Sequence, residues 1–456
     1  MMQSVAMLGA RLRRGALTAT ALAQEAIARA LDTDGEGPRA FMHVDAEAAL
    51  AMAAAADTRL SAGTPRSALD GLPVSVKDLF DVAGQVTRAG SVVLAGAPPA
   101  TAHATVVQRL VDAGAVIIGR TGMTEFAYSG LGINPHYGTP LNPWDRAQGR
   151  IPGGSSSGAA VSVSDGMAVA GIGSDTGGSV RIPAALCGLT GWKPTARRVP
   201  MRGMFPLSVH LDSIGPIART VQCCAALDAV LSGQPPADVS ATSLRGLRLA
   251  APQTLVHEGI DAQVGQALER ALGLLSAAGA RIVPLAVPEF LELSSINARG
   301  GFTALEAWAA HGSRLQAARD RYDPRVAVRI EKGRDATLAD LLALIAARQD
   351  WIERTGARLS SFDAFLMPTV PRVAPLLAPL VESDTLFSET NLLMLRNPTL
   401  INFLDGCAIS LPCHIQGEAP VGLMLAAPNG SDARLLTIAQ AVESTLIGWT
   451  GIGVQA

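Results

Sequence analysis

Charge is scarce in this chain and is not concentrated in one sign. Only 17% of the 456 residues are Asp, Glu, Lys or Arg, and the formal net charge is −2. A protein that binds nucleic acid needs a basic stripe to meet the phosphates, and no segment supplies one. The 48% hydrophobic content and the 46 glycines instead predict a large folded core. We therefore expect no nucleic-acid partner.

Long apolar runs and paired cysteines are also missing. No stretch of 18 unbroken apolar residues occurs, so no membrane span or membrane partner is expected. The first twenty residues fit a signal peptide poorly, because their arginines follow the short apolar stretch instead of preceding it. The five cysteines form no C-x-x-C pair, and their odd number argues against a disulfide framework. We expect a cytoplasmic protein with reduced, buried thiols.

Metal motifs are absent and lysine is rare. Neither H-E-x-x-H nor a Cys/His cluster occurs, so we expect no metal and no other cofactor. Only three of the 37 basic residues are lysines, namely Lys77, Lys193 and Lys332. Arg cannot lose its proton at neutral pH, whereas a desolvated Lys can. A lysine in this chain therefore marks a position where an arginine would not serve.

Strand and helix patterns alternate along both halves of the chain. Residues 71–76 and 167–172 predict buried strands, and residues 105–118 predict a helix, a glycine turn and a strand. Residues 232–246 are the best linker candidate. Because both halves have βα character, we predict an α/β fold in which one large, mixed and mostly parallel sheet carries helices on both faces. We expect residues 1–456 to form a single domain.

Two clusters of Ser and Gly lie on either side of a short apolar segment. The second cluster, SDTGGS, runs from Ser174 to Ser179. Its two glycines allow a tight turn in which successive N–H groups point into one concavity. Such donors can stabilise the oxyanion of a tetrahedral intermediate, and a serine at the end of the turn is placed to attack. Taken alone, this pattern is more often a simple turn.

The first cluster favours catalysis over a simple turn. It runs from Gly153 to Gly158, and its Ser155 taken alone would most often be a helix cap. A serine hydroxyl needs a partner that accepts its proton, and two neighbouring hydroxyl clusters could relay that proton to a base. Lys77 is the candidate base, because the apolar strand before it would desolvate the amine and lower its pKa. The alternative is a surface lysine paired with Asp78.

The segments that carry these residues resemble the amidase signature family. GLPVSVKD, PGGSSSGAA, GSDTGGSVRIPA and GLTGWKPT match its motifs within about residues 71–220, and the likeness extends over most of the chain. The resemblance implies a Ser–cis-Ser–Lys triad with Ser179 as nucleophile, Ser155 after a cis peptide bond as the bridging serine, and Lys77 as base. It implies oxyanion donors around Thr176, Gly177, Gly178 and Ser179. It also implies a supporting polar shell of Ser156, Asp175 and Arg181.

The resemblance implies hydrolysis of the C–N bond of a small amide through an acyl-enzyme. Some esters would be cleaved as well, and a homodimer is a reasonable expectation. The substrate region is expected in the more variable, partly helical part at about residues 290–405, together with residues 123–137. An uncharged or aromatic amide is expected from four residues of these segments: Met123, Tyr128, Trp308 and Phe403.

One alternative lies within the same family. The amidase component of glutamyl-tRNA(Gln) amidotransferase has a similar length and the same triad, and it works with a partner subunit. Its glutamine site resembles a zwitterion clamp that includes an acidic side chain. The corresponding segment from Asn391 to Leu404 contains no Asp or Glu in this chain. This departure favours a stand-alone amidase.

Two remoter alternatives come from short motifs. Residues 154–158 satisfy G-x-S-x-G, which would make Ser156 the nucleophile of an α/β-hydrolase-type esterase with His414 as its late histidine. The segment before this motif, however, is a loop and not an apolar strand. Gly171 and Gly173 resemble part of a phosphate loop of a nucleotide-binding protein, but the spacing is not G-x-G-x-x-G and no Gly-Lys-Ser/Thr follows.

Overall fold

One large sheet organises the molecule. The structure is a computed structural model that describes residues 3–240 and 243–450. In this part of the chain the strands are β1 (Phe41–Val44), β2 (Pro73–Lys77), β3 (Val116–Thr121), β4 (Ala170–Asp175), β5 (Thr190–Lys193), β6 (Ser213–Ala218), β7 (Arg248–Pro252), β8 (Arg281–Leu285), β9 (Ala364–Pro368), β10 (Cys407–Pro412) and β11 (Gly422–Ala427). All eleven belong to one sheet of order β1-β3-β2-β4-β6-β5-β10-β11-β9-β7-β8.

The strand directions are mixed. Strand β2 runs parallel to β3 and β4, and β7 runs parallel to β8 and β9. Antiparallel pairs join β4, β6, β5, β10, β11 and β9 across the centre, and another joins β1 to β3. The predicted α/β fold with a mixed sheet is confirmed.

Helices cover the sheet. They are α1 (Val5–Arg13), α2 (Ala19–Leu31), α3 (Gly37–Ala40), α4 (Ala46–Ser61), α5 (Thr105–Asp112), α6 (Ser157–Ser164), α7 (Arg181–Leu186), α8 (Val221–Ser232), α9 (Ala262–Ala277), α10 (Leu293–Ile296), α11 (Gly301–Ala318), α12 (Pro324–Glu331), α13 (Leu338–Leu359), α14 (Leu377–Glu382), α15 (Asp384–Phe403) and α16 (Asp432–Thr450).

Successive residues of a central strand belong in turn to two different hydrophobic clusters. On β9, Ala364 and Leu366 belong to one cluster, whereas Phe365 and Met367 belong to the other. Because successive side chains of a strand point to opposite faces, the two clusters lie on opposite sides of the sheet. Both faces are therefore buried under other elements.

The described residues carry few features beyond this fold. All five cysteines are free and buried, as the sequence predicted. Of the helices described, none combines the length and apolar content needed to cross a bilayer. No group of three or more His, Cys, Asp or Glu side chains comes together in a metal-binding arrangement within residues 3–240 and 243–450.

The sheet brings the two sequence clusters to one edge. Strand β2 pairs in parallel with β4, with Val76 opposite Ile172, so both strands end on the same side. Lys77 is the last residue of β2, and Ser174 and Asp175 are the last two residues of β4. The amine and the glycine turn that follows β4 are therefore neighbours although about a hundred residues separate them in sequence.

Candidate active site

Lys77 is fully buried at the end of β2. A hydrogen bond of 2.7 Å joins its Nζ to Ser155 Oγ, and another of 2.9 Å joins it to Ser174 Oγ. Burial lowers the pKa of Lys77 to about 7, although the charges of Asp212 and Asp175 act in the opposite direction. A large fraction of this amine is therefore neutral near pH 7, and a neutral amine can accept a proton.

Asp78 does not hold the amine at the surface. Its Oδ1 accepts a hydrogen bond of 2.9 Å from Arg120 Nε, and both side chains of this pair are buried. The alternative of an exposed Lys77 paired with Asp78 is therefore wrong. The adjacent acid belongs to a separate buried ion pair.

Ser155 is held by its backbone beneath the glycine turn. The Gly154–Ser155 peptide bond is cis, as the family resemblance implied. The Gly154 N–H donates to Gly130 O at 2.8 Å, and the Thr124 N–H donates to Ser155 O at 3.1 Å. The Ser155 side chain is fully buried, so its hydroxyl faces Lys77 without competition from bulk water.

Ser179 lies in the turn between β4 and α7, where its carbonyl accepts a hydrogen bond of 3.3 Å from the Ser156 N–H. Its side chain lines a cavity and is 3% exposed. Among the described residues no hydrogen bond joins Ser155 Oγ to Ser179 Oγ. Two members of the predicted triad are thus hydrogen-bonded to each other, and the third faces the cavity.

The carboxylate of Asp175 organises the glycine turn. It accepts hydrogen bonds from the N–H groups of Gly178 and Val180 at 2.8 and 3.2 Å, and from Arg181 Nε and Nη2 at 3.0 and 2.8 Å. Burial raises the pKa of Asp175, but the charge and hydrogen bonds of Arg181, the charge of Lys193 and the hydrogen bond from Asn402 together hold that pKa well below its usual range. The Asn402 amide adds a further bond of 3.0 Å.

These contacts correct one part of the expected oxyanion hole. The Gly178 N–H is occupied by Asp175, so this amide supports the turn and is not free to meet an oxyanion. The N–H groups of Thr176, Gly177 and Ser179 have no acceptor among the described residues, and all three residues line the cavity. Gly178 itself has a φ of +120°, and a Cβ there would lie 2.6 Å from Pro398 Cβ.

Asp212 is a buried acid that the sequence reasoning missed. Its carboxylate accepts from Thr176 Oγ1 at 2.5 Å and from the N–H groups of Leu207 and Ser208 at 3.0 and 3.1 Å. Burial raises the pKa of Asp212 to about 6, although these donors oppose the shift. An acid directly before a buried strand was the available signal, since Asp212 precedes β6.

Ser156 and Ser174 also support the site. Ser156 is buried, and its Oγ donates to Ser174 O at 3.4 Å. A Cβ on Gly173 would lie 2.6 Å from Ser156 Oγ, so the first cluster packs directly on β4. Ser174 belongs to the second motif, but its hydrogen bond to Lys77 Nζ is a role that the sequence alone does not predict.

The cavity beside Ser179 has a volume of about 560 Å³ and is largely apolar. Two of the four pocket residues expected from the sequence, Tyr128 and Phe403, line it. Met123 does not, because it is buried elsewhere and its carbonyl accepts from Asn134 Nδ2 at 2.7 Å. Trp308 does not line it either, and the Arg334 guanidinium carbon lies 5.2 Å from the centroid of its ring.

The remoter alternatives do not fit this geometry. His414 Nδ1 accepts from the Val421 N–H at 3.3 Å, and His414 does not line the cavity, so no esterase triad forms with Ser156. Gly171 and Gly173 are internal residues of β4, paired with β6. They therefore form no loop that could surround a phosphate.

Comparison with known proteins finds similar chains that match almost the whole length of this one. The Amidase family profile matches residues 23–436. The 2-amino-5-chloromuconic acid deaminase of Comamonas testosteroni is 38% identical, covering 98% of this chain and 96% of that protein. A glutamyl-tRNA(Gln) amidotransferase subunit of Chloroflexus aggregans is 33% identical, covering 95% of this chain and 94% of its own. The solved peptide amidase of Stenotrophomonas maltophilia superposes with a TM-score of 0.80 at 28% identity, covering 97% and 96% of the two chains.

Proposed function

Because the chain belongs to the amidase signature family and hydrolyses carbon–nitrogen bonds, we propose that it is a stand-alone amidase that cleaves a small carboxylic amide through an acyl-enzyme on Ser179. The observation that carries this proposal is the buried hydrogen bond of 2.7 Å between Lys77 Nζ and Ser155 Oγ. It supplies a base of suitable pKa for a relay that begins at the Ser179 hydroxyl.

The first half-reaction forms the acyl-enzyme. Neutral Lys77 accepts the Ser155 hydroxyl proton, and Ser155 Oγ accepts the proton of Ser179 as Ser179 Oγ attacks the amide carbonyl carbon. A rotation of the Ser179 side chain towards Ser155 completes the relay. Thr176, Gly177 and Ser179 line the cavity, and their N–H groups, which have no acceptor among the described residues, would supply donors for the developing oxyanion.

The second part of the reaction reverses the proton path. The proton held on Lys77 returns through Ser155 to the leaving nitrogen, which departs as ammonia or an amine when the tetrahedral intermediate collapses. Water then enters the cavity, loses a proton to the same relay and attacks the acyl carbon. The carboxylic acid leaves, and Ser179 regains its hydroxyl proton.

The amidase component of a glutamyl-tRNA(Gln) amidotransferase is the second candidate, since several relatives are named as a subunit of that enzyme. A free glutamine carries an ammonium group that an acidic side chain would have to meet. Among the described residues no Asp or Glu lines the cavity, and this supports the stand-alone enzyme. The Comamonas relative is named as a deaminase, so ammonia is a product worth measuring for every substrate tried.

We therefore expect activity without a partner subunit. The single purified chain should release ammonia or amine from members of a panel of aryl, short aliphatic, urea-like and carboxylate-bearing amides. Hydrolysis that requires a co-purifying second subunit, or that appears only when glutamine is the substrate, would favour the amidotransferase component instead.

A further inference from the structure

Arg329 presents a cation to the cavity next to the glycine turn. It lies on α12 and lines the same cavity as Ser179. Its guanidinium carbon is 4.5 Å from the centroid of the Tyr128 ring, which also lines the cavity. Its Nη1 is buried and has no hydrogen-bond partner. The aromatic face fixes the guanidinium in place but leaves its N–H donors unused.

The other cations of the cavity wall are used differently. All three guanidinium nitrogens of Arg396 donate hydrogen bonds within the protein, to Glu258 O, Val256 O and Asn397 Oδ1. Lys332 is exposed at the cavity rim. No hydrogen bond or ion pair to another described residue involves the Arg329 guanidinium, so it alone combines a buried nitrogen with free donors.

The rest of the cavity wall, as far as the structure describes it, offers no negative charge to pair with Arg329. Leucine and phenylalanine side chains dominate the lining, and no carboxylate is present among its described residues. Burial lowers the pKa of Arg329. A guanidinium nevertheless stays protonated, and a half-buried cation whose buried Nη1 has no partner is destabilising without a counter-ion. A ligand that brings its own anion would remove this cost.

We propose that Arg329 binds a carboxylate of the substrate, so that the preferred substrates are amides that also carry a free carboxylate, such as the monoamides of small dicarboxylic acids. This inference rests on the proposed amidase function. The guanidinium offers the planar, paired donors that match a carboxylate, while the apolar wall contacts the carbon chain between the two ends. It replaces the uncharged amide expected from the sequence.

Paired substrates test this specificity. Succinamic, glutaramic and adipamic acids are each compared with the neutral amide in which a methyl group replaces the carboxylate. The wild type should prefer the acids. Arg329→Gln should lower kcat/KM for the acids on the order of 100-fold, mainly through KM, because it removes the cation that pairs with the substrate carboxylate inside the cavity. The neutral amides should change by less than about threefold, since they make no such pair.

The matched control is Arg319→Gln, which removes the same charge from an arginine that is paired with Glu331 and does not line the cavity. It should leave the preference for acids intact. Equal losses on acids and neutral amides in Arg329→Gln, or a wild-type preference for neutral amides, would overturn the proposal.

A binding measurement separates this inference from the proposed function. Glutarate should bind to the wild type in calorimetry and inhibit competitively, and Arg329→Gln should abolish that binding. If no amide is hydrolysed but glutarate binds through Arg329, the amidase proposal fails and the carboxylate site stands. If Arg329→Gln does not fold, Arg329→Lys and the binding of glutarate to the wild type test the carboxylate site instead. Absence of glutarate binding to the folded wild type rejects the site.

Discussion

At the scale of single residues, the chemistry depends on one amine in an unusual environment. Lys77 has no exposed surface, and its neighbours are two serine hydroxyls. Burial disfavours its charged form, whereas Asp212 and Asp175 favour it, and the balance leaves a pKa of about 7. An arginine in the same position would remain protonated and could not accept the Ser155 proton.

This balance predicts the acid limb of the pH profile. Because the pKa of Lys77 is lowered, its neutral form is present above about pH 7 and is lost as the pH falls through that value. The value of kcat/KM should therefore rise with pH through about 7. The charge of Asp212 favours protonated Lys77, so Asp212→Asn should lower the pKa of Lys77 further. The rise of kcat/KM with pH should therefore occur at a lower pH in this variant.

The control for this measurement is Asp165→Asn. Asp165 is paired with Arg146, and its charge is not among those that shift the pKa of Lys77. Its acid limb should match that of the wild type. A profile that stays unchanged in Asp212→Asn, or an acid limb of the wild type that is absent near pH 7, contradicts the role assigned to Lys77.

The sequence indicated the residues of the relay better than those around it. The glycine pattern, the serine clusters and the rarity of lysine pointed to Ser179, Ser155 and Lys77. The roles of Ser174, Asp212 and Asn402 were not predicted, because each depends on a contact with a residue far away in the sequence. The role of Gly178 was misjudged for the same reason, since only the fold shows that Asp175 occupies its N–H.

At the scale of elements, the turn between β4 and α7 depends on a buried ion pair. Both Asp175 and Arg181 are fully buried, and their hydrogen bonds connect the end of the strand to the start of the helix. Arg181 also donates to Asn402 Oδ1 at 2.6 Å and thereby ties this turn to α15.

Arg181→Met should therefore destabilise the protein by about 3–5 kcal/mol, because it leaves the Asp175 carboxylate buried without its counter-charge. Urea unfolding followed by circular dichroism measures this change. The double variant Asp175→Asn/Arg181→Met should recover part of the loss. Arg354→Met, which breaks exposed pairs with Glu292 and Asp350, is the control and should have little effect. Equal effects in the two arginine variants would show that the buried pair does not hold the turn.

The element boundaries show where sequence patterns are limited. The strand predicted at residues 167–172 lies at Ala170–Asp175, because its polar last residues are buried against neighbouring strands and complete the ladder. Ser155, which taken alone would most often be a helix cap, is not the cap of α6, because that helix begins at Ser157 and its N-cap is Ser156. An apolar pattern alone does not reveal a strand that ends in buried polar residues.

At the scale of the whole molecule, the site uses both halves of the chain. Lys77, Ser155 and Ser179 come from the first half, whereas Arg329 and Phe403 reach the cavity from helices of the second half. The eleven-stranded sheet contains strands from both sides of residues 232–246. A single domain over residues 1–456 stays a prediction from the sequence. Pocket residues were predicted less well than the relay because long-range packing brings them together.

The most direct test of the account is the location of the acyl group during turnover. The enzyme is mixed with a hydrolysable amide, quenched in acid and mapped by peptide mass spectrometry. We predict an acyl adduct on Ser179 in the wild type, none in Ser179→Ala, and a greatly reduced rate of adduct formation in Lys77→Ala. An adduct on Ser156 or on any other side chain, or continued turnover by Ser179→Ala within tenfold of the wild-type rate, would contradict the account.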